Sequence, residues 1–289
     1  MMLKLAAQQL SDGVQLPVAV LLETSALSRA SYYRHLASPL PADLDMELRD
    51  HIQRLALEWP QYGYRRITAE LHRQGIPANH KRVLHLMRED NLLCLRKRRF
   101  ISTTDSRHSL TIYPNLVPDL ALSSINQLWV ADITDIRLAR EFIYLAVILD
   151  AYSRRCIGWA LEPSLGAELA LEALRMALAS RPVAPGLVHH SDRGVRYASS
   201  VYTELLKEHG IRISMSRPGN PYDNAQAERF MRTVKYEEVY LFEYEAVTEA
   251  RARISHFLEE VYNQKRLHSA IGYLPPAEYE QQLGQSTDA

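Results

Sequence analysis

The sequence lacks the features that mark disulfide-bonded, secreted and membrane proteins. Its 289 residues include two cysteines, Cys94 and Cys156, so a disulfide framework or a four-cysteine zinc site is excluded. No apolar run approaches the roughly 20 residues of a membrane-spanning helix, and the N-terminus has no signal-peptide pattern. These absences favour a protein of the reducing cytoplasm, long enough for two or three domains.

The chain also lacks a net charge, because 34 Lys and Arg residues balance 34 Asp and Glu residues. The balance is uneven along the sequence: residues 61–110 hold eleven cations and four acids, a local charge of +7. This asymmetry predicts nucleic-acid binding in the basic segment and metal-binding carboxylates in the acidic remainder. Part of the acidic excess is ordinary helix surface.

The N-terminal third is predicted to be helical. Residues 1–40 contain a weak helix-turn-helix pattern, and residues 41–95 read as three short helices, the third capped by Asn79. Such a module resembles DNA-binding helical domains, although an ordinary basic surface is the alternative. The candidate DNA-binding residues are Arg65, Arg66, Lys81 and Arg82.

Residues 96–125 are predicted to be a basic and polar linker that tracks phosphates. It opens with four consecutive cations, Arg96, Lys97, Arg98 and Arg99. We place a domain boundary here, because no helical or strand period follows. The catalytic core is predicted over residues 126–246, and a C-terminal helix and tail over residues 247–289.

The core alternates between strand-like and helix-like segments, which indicates an α/β fold. Its order is three antiparallel strands, helix, strand, helix, strand and further helices. This is the order of the ribonuclease H-like fold, with a mixed five-stranded sheet. The predicted strands are 129–138, 141–150, 156–161, 187–190 and 211–216, and the main helices are 167–180, 199–209, one around Glu228, and 247–262.

Three acids in this core suggest a metal site. Asp132 lies in the middle of an apolar strand, where a charge is costly unless it is paired or binds a metal. Asp192 follows a short strand, and Glu228 comes after 35 intervening residues on a predicted helix capped by Asp223 or Asn224. Taken alone, Asp132 could equally be a strand-edge aspartate facing water; the three acids together favour metal-dependent phosphodiester chemistry.

The sequence around these acids resembles the Asp-Asp-Glu transposases of insertion sequences, which have a retroviral-integrase-like core. The nearest resemblance is to the second-frame (orfB) product of the third insertion-sequence family, and it covers nearly the whole chain beyond residue 17. The acids lie in the motifs Trp129-Val130-Ala131-Asp132, His190-Ser191-Asp192-Arg193-Gly194 and Asp223-Asn224-Ala225-Gln226-Ala227-Glu228. Further matches are Tyr62-Gly63-Tyr64-Arg65-Arg66-Ile67, Leu149-Asp150-Ala151-Tyr152-Ser153-Arg154 and Tyr262-Asn263-Gln264-Lys265-Arg266-Leu267-His268.

The resemblance implies that Asp132, Asp192 and Glu228 hold two Mg²⁺ or Mn²⁺ ions at the scissile phosphate. Arg232 and Lys235 would then meet DNA from the Glu228 helix, unless Lys235 pairs with a nearby acid such as Glu237 or Glu238. It also implies a bacterial, nucleoid-associated protein that cleaves transposon ends and joins the 3′-hydroxyl to target DNA. The alternatives are a ribonuclease H-like nuclease without strand transfer and a non-catalytic DNA-binding regulator.

Other candidate ligands are set aside. Asp135 and Asp150 are interpreted as structural acids, and His189 and His190 as poor ligands for Mg²⁺. We predict no zinc, because His72, His80, His85 and Cys94 lack paired-ligand spacing.

Partners are also implied. The resemblance implies a homo-oligomer on DNA, helped by an upstream-frame (orfA-type) protein. The chain has no heptad run of three or more repeats, so it lacks an obvious coiled coil of its own. The 247–262 helix could contribute to assembly, or could pack only on its own core.

Overall fold

A computed structural model describes residues 28–30, 33, 45–93, 110–217, 220 and 223–287. The chain divides into two compact units, residues 1–54 and 55–289. The predicted helix-turn-helix pattern of residues 1–40 lies almost entirely outside the described residues, as do the cations at 96–99. No helix within the described ranges is both long enough and apolar enough to cross a membrane.

Three helices precede the core, close to their predicted positions. They are α1 (Met46–Glu58), α2 (Tyr64–Arg73) and α3 (His80–Glu89). The side-chain oxygen of Asn79 accepts a hydrogen bond from the backbone N–H of Lys81 at 2.8 Å, which confirms the predicted cap of α3. The buried faces of α2 and α3 are formed by Ile67, Leu71, Val83, Leu86 and Met87.

The core sheet has five strands, as predicted. They are β1 (Leu128–Arg137), β2 (Phe142–Asp150), β3 (Cys156–Glu162), β4 (Val188–Ser191) and β5 (Arg212–Met215). Their spatial order is β3-β2-β1-β4-β5, with antiparallel pairing among β1, β2 and β3. The β4 strand runs parallel to both β1 and β5. This topology confirms the ribonuclease H-like fold.

Helices cover both faces of the sheet. They are α4 (Ala167–Ser180), α5 (Val195–Ala198), α6 (Ser200–Glu208), α7 (Ala225–Glu237), α8 (Val247–His256) and α9 (Pro276–Thr287). Leu128 and Val130 of β1 share one hydrophobic cluster with α7 and α8, whereas Trp129 and Ala131 share the other with α4 and α6. This alternation follows from the two-residue period of a strand, and it buries the front half of β1 on both faces.

The α8 helix continues as a π-helix from Phe257 to Lys265. The side chain of Asn263 there accepts from the backbone N–H of Cys156 at 3.0 Å and donates to its carbonyl oxygen at 2.9 Å. The amide thus pairs with the edge strand β3 as a neighbouring strand would. The apolar face of the helix, including Ile254 and Leu258, packs in the core of its own chain, which was one of the two expectations for this segment.

Candidate active site

Asp132 and Asp192 lie at equivalent positions on neighbouring parallel strands. The β1–β4 pairing ends at Val130 opposite His190, and each aspartate comes two residues later. Equivalent residues of parallel strands, which lie about 4.8 Å apart, point to the same side of the sheet. The two carboxylates therefore flank the point where the paired strands end.

A backbone N–H holds each of these carboxylates. Oδ1 of Asp132 accepts from Ile133 N at 2.9 Å, and Oδ1 of Asp192 accepts from Gly194 N at 2.8 Å. A Cβ at Gly194 would lie only 2.9 Å from that Asp192 oxygen. The turn after β4 therefore requires glycine if the Asp192 carboxylate is to keep this position.

Glu228 approaches the aspartates from the first turn of α7. Ala227, Phe230 and Met231 turn inward on this helix and join the hydrophobic cluster of β1 and β2, whereas Glu228 lies on the exposed side. Partial burial raises the pKa of Glu228, and the charge of Arg232 works in the opposite direction. The helix thus places the Glu228 carboxylate near the aspartates and leaves it largely exposed.

The electrostatics of Asp132 show that the three acids converge. Burial raises the pKa of Asp132 to about 8, and the negative charges of Asp192 and Glu228 raise it further. The Ile133 N–H and the Lys235 ammonium act against this rise. One cation and one backbone N–H thus do not offset burial and the two neighbouring carboxylates.

The donor set fits a hard divalent cation, because carboxylate oxygens are the ligands that Mg²⁺ and Mn²⁺ prefer. Among the described residues, no three His, Cys, Asp or Glu side chains lie close enough to form a closed metal site. Burial and the neighbouring acids disfavour the charged form of Asp132, and a divalent cation bound beside it would favour that form.

Asn224 takes the predicted N-cap position of α7, but neither its side chain nor that of Asp223 makes a capping hydrogen bond. The side-chain Nδ2 of Asn224 donates to the carbonyl oxygen of Ala131 at 2.9 Å. Its Oδ1 is buried and has no hydrogen-bond partner among the described residues. Asp223 instead accepts from the backbone and guanidinium of Arg217 at 2.9–3.1 Å. A tertiary contact has replaced the local cap: Asn224 ties the start of α7 to the residue before Asp132.

His189 and His190 hydrogen-bond to side chains of neighbouring elements, and their interpretation as poor ligands for Mg²⁺ stays a prediction. His190 bridges Ser214 Oγ at 2.8 Å and Ser216 Oγ at 3.0 Å, while His189 Nε2 lies 2.9 Å from the hydroxyl of Tyr202. Burial lowers the pKa of His189 to about 3 and that of His190 to about 4. Both rings are therefore neutral and connect β4 to β5 and α6.

Tyr197 is a residue of the site that sequence reasoning missed. It is buried, and its hydroxyl has no hydrogen-bond partner among the described residues. Burial raises its pKa, with smaller contributions from Tyr202, Asp132 and Asp192. The neutral phenol thus lies within electrostatic reach of two acids. Its only signal in the sequence is its position five residues after Asp192, which a core aromatic would share.

The cations of α7 have different surroundings. Arg232 is exposed, whereas Lys235 Nζ lies 3.3 Å from Asp135 Oδ1. The alternative that Lys235 pairs with an acid therefore holds, but the acid is Asp135, because Glu237 and Glu238 pair with Arg266 and Arg253. The Lys235 charge also acts on Asp132, whose pKa it lowers.

Asp150 is a structural acid, as expected. Its carboxylate accepts hydrogen bonds from the backbone N–H groups of Asn126, Tyr152 and Ser153 at 2.7–3.0 Å. The bonds from Tyr152 and Ser153 close the turn between β2 and β3, and the bond from Asn126 fixes the segment before β1.

The candidate DNA-binding residues of the helical module also differ from one another. Lys81 and Arg82 are exposed in the first turn of α3, and Arg65 is exposed on α2. Arg66 is half-buried, with its guanidinium 5.3 Å from the centre of the Tyr62 ring. Burial and the nearby Arg266 lower the pKa of Arg66. The structure thus separates Arg66, which packs inward, from the three exposed cations.

Comparison with known proteins gives concordant matches along the chain. Family models described as integrase core domains match residues 123–221 and 209–276, and one described as an HTH-like domain matches residues 43–100. The chain is 38% identical over 225 residues to the insertion element IS600 uncharacterized 31 kDa protein of Shigella sonnei, covering 78% of this chain and 83% of that protein. It is 38% identical over 221 residues to transposase InsF for insertion sequence IS3A of Escherichia coli strain K12, covering 76% and 77% of the two chains.

Solved structures give weaker likenesses. The catalytic core domain of BIV integrase aligns with a TM-score of 0.42 at 22% identity, covering 57% of this chain and 99% of that one. A chain of the simian T-cell lymphotropic virus intasome, in complex with PP2A regulatory subunit B56 gamma, aligns with a TM-score of 0.45 at 16% identity, covering 79% and 74%.

The raised pKa of Asp132 predicts that Asp132→Asn stabilises the metal-free protein above neutral pH. Between pH values near 3.8 and about 8, Asp132 is neutral in the folded chain and charged in the unfolded chain, which costs stability as the pH rises. At pH 8 we expect a gain of at least roughly 1.4 kcal/mol, the equivalent of one pKa unit. Denaturant unfolding in a chelator, at pH 4 and pH 8, measures it.

The matched control is Asp135→Asn, which removes the partner of Lys235 and should give no gain. An Asp132→Asn gain of the same size at pH 4 and pH 8 would contradict the electrostatic explanation.

Proposed function

This chain belongs to the family of insertion-sequence transposases that includes InsF of IS3, and we propose that it cleaves transposon-end DNA and joins the freed 3′-hydroxyl to target DNA. The observation that carries the proposal is the convergence of Asp132, Asp192 and Glu228 where the parallel β1–β4 pairing ends. Three carboxylates of this kind suit in-line phosphodiester chemistry better than nucleophilic catalysis by the protein.

In this proposal the three carboxylates hold two Mg²⁺ or Mn²⁺ ions. When bound, such ions lower the pKa of the attacking water or 3′-hydroxyl and stabilise the leaving oxygen. Asn224 and the Ile133 and Gly194 N–H groups keep the carboxylates and the start of α7 in place. Arg232 and Lys235, four and seven residues after Glu228, lie on the same side of α7 and would hold the DNA phosphates beside the acids.

The first test replaces each acid by its amide. Asp132→Asn, Asp192→Asn and Glu228→Gln should reduce cleavage and joining of labelled end DNA in Mn²⁺ below detection, because an amide is a poor ligand for a hard cation. DNA binding, measured by fluorescence anisotropy on the same preparations, should remain. Glu168→Gln, on the exposed surface of α4, is the matched control and should keep full activity.

The products formed by the unaltered chain separate the competing functions. Joined product supports transposition, cut product alone indicates a nuclease without strand transfer, and bound but uncut DNA indicates a regulator. Near-normal joining by Glu228→Gln would overturn the assignment of the acids.

We further propose that the helical module binds DNA through Arg65, Lys81 and Arg82, with Arg96–Arg99 continuing the contact. The support is the +7 charge of residues 61–110 together with the exposure of these three side chains. Lys81 and Arg82 lie in the first turn of α3, where the positive end of the helix dipole adds to the attraction for phosphate.

Replacing Arg65, Lys81 and Arg82 together by Gln should weaken end-DNA binding and flatten its salt dependence. Each lost phosphate contact lowers the slope of log affinity against log salt by about 0.9. Arg66→Gln is the control: because Arg66 packs against Tyr62, it should lower stability and leave the slope unchanged. A triple variant with an unaltered slope would refute the proposed contacts.

We also propose that two or more chains assemble on DNA, together with an upstream-frame protein that supplies end recognition. Two transposon ends must be held together, and the apolar face of α8 is already covered by its own core. Light scattering of the complex, with and without the upstream protein, should show a multimer and stronger specific binding when both are present. Full, specific joining by a monomer would contradict this proposal.

A further inference from the structure

Two sequence motifs have no part in the proposed chemistry: the stretch from Tyr62 to Ile67 and the stretch from Tyr262 to His268. In the structure they contact each other. The hydroxyl of Tyr62 accepts a hydrogen bond from the backbone N–H of Leu267 at 2.8 Å, and both residues are buried. The two motifs, 205 residues apart in the chain, therefore form one joint.

A second contact fixes α2 to the C-terminal end of the chain. The Arg73 guanidinium binds the Glu278 carboxylate of α9 through both nitrogens, at 3.1 and 2.7 Å. A bidentate pair restricts rotation as well as distance. The α2 helix is thus anchored at its beginning, through Tyr62, and at its end, through Arg73.

The stretch from Tyr262 to His268, the C-terminal stretch, also holds α7, the helix of Glu228. Arg266 is 4% exposed and binds Glu237, the last residue of α7, through two nitrogens at 2.6 and 2.7 Å. The Tyr262 ring lies edge-on to Phe230 at 4.6 Å, and Phe230 follows Glu228 by two residues. The contacts therefore hold α7 near Glu228, at Phe230, and again at its last residue, roughly 10 Å further along the helix axis.

The joint depends on both members of the Arg266–Glu237 pair being present. Burial opposes the Arg266 charge, but the hydrogen bonds to Glu237 and its negative charge, with smaller effects of Tyr262 and Tyr62, together raise the pKa of Arg266. Removing one partner from such a pair leaves an uncompensated buried charge, which is far more costly than removing both. The negative end of the α7 dipole also favours a cation at this position.

We propose that Tyr62 and Arg266 are positioning residues for Glu228. The docking of α2 on the C-terminal stretch sets the position of α7. The position of α7 in turn sets how closely Glu228 approaches Asp132 and Asp192. The inference rests on the proposed function, because it assumes that Glu228 acts in DNA cleavage. Its consequence is that the DNA-binding module and the catalytic acid are mechanically coupled within one chain.

Tyr62→Phe tests the coupling with the smallest change, because the ring remains and only the acceptor for Leu267 is lost. We expect end-DNA binding to be unchanged, while Mn²⁺-dependent joining falls about tenfold, since small displacements of a catalytic group have large effects. Hydrogen exchange of the α7 amides, residues 225–237, should become faster. The matched control is Tyr64→Phe, which removes a hydroxyl from the ring stacked on His80 and should change neither quantity.

A rescue experiment examines the ion pair. Arg266→Gln and Glu237→Gln should each reduce joining, and the double variant should recover most of the loss because two amides replace one charged pair. If Arg266→Gln fails to fold, the recovery is measured from Glu237→Gln alone. If Arg266 and Glu237 served only to stabilise the fold, DNA binding and joining would both fall in proportion to the folded fraction of the protein.

The proposal is overturned if Tyr62→Phe leaves α7 exchange unchanged, or if joining falls only as much as DNA binding. It is also overturned if the double variant is no better than the worse single variant. Failure of the proposed function is distinguishable: the unaltered chain would then neither cut nor join, whereas the exchange experiment on α7 requires no catalysis and still decides the coupling.

Discussion

The constraint on which the site depends is the early end of the β1–β4 pairing. β1 pairs with β2 from Trp129 to Arg137, but its parallel pairing with β4 ends at Val130. Beyond that residue one edge of β1 has no strand beside it, and α7 approaches it there through the Asn224 bond to Ala131. The buried first four residues of β1 are thus followed by a carboxylate, Asp132, that is partly exposed and lies near a second acid.

This geometry places three carboxylates close together, which lowers the stability of the fold. Burial and two neighbouring acids raise the pKa of Asp132 to about 8, whereas the carboxylate of Asp150 accepts hydrogen bonds from three backbone N–H groups. Raised pKa values of this kind are typical of catalytic sites, which give up stability for function. The two aspartates thus differ in their surroundings, which supports the proposed role of Asp132.

The α7 helix connects the parts of the molecule. Its inner face packs on β1 and β2, its first turn carries Glu228, and its last residue is held by the buried Arg266. The C-terminal stretch that supplies Arg266 also supplies Asn263, which completes the edge of β3, and Leu267, which meets Tyr62. A segment that looks like a tail in the sequence is therefore where the sheet edge, the acid helix and the helical module meet.

The sequence by itself determined the order of strands and helices and the placement of the three acids on them. Periodicity and turn residues are local signals, so the predicted element bounds lie within a few residues of those observed. Only the tertiary structure decided which neighbour each polar side chain would have. Asn224 binds Ala131 instead of capping α7, Lys235 binds Asp135, Arg66 turns inward on Tyr62, and Tyr197 lies near two acids. Each of these contacts joins groups that are distant in the chain or depends on how an element packs, and neither spacing nor composition contains that information.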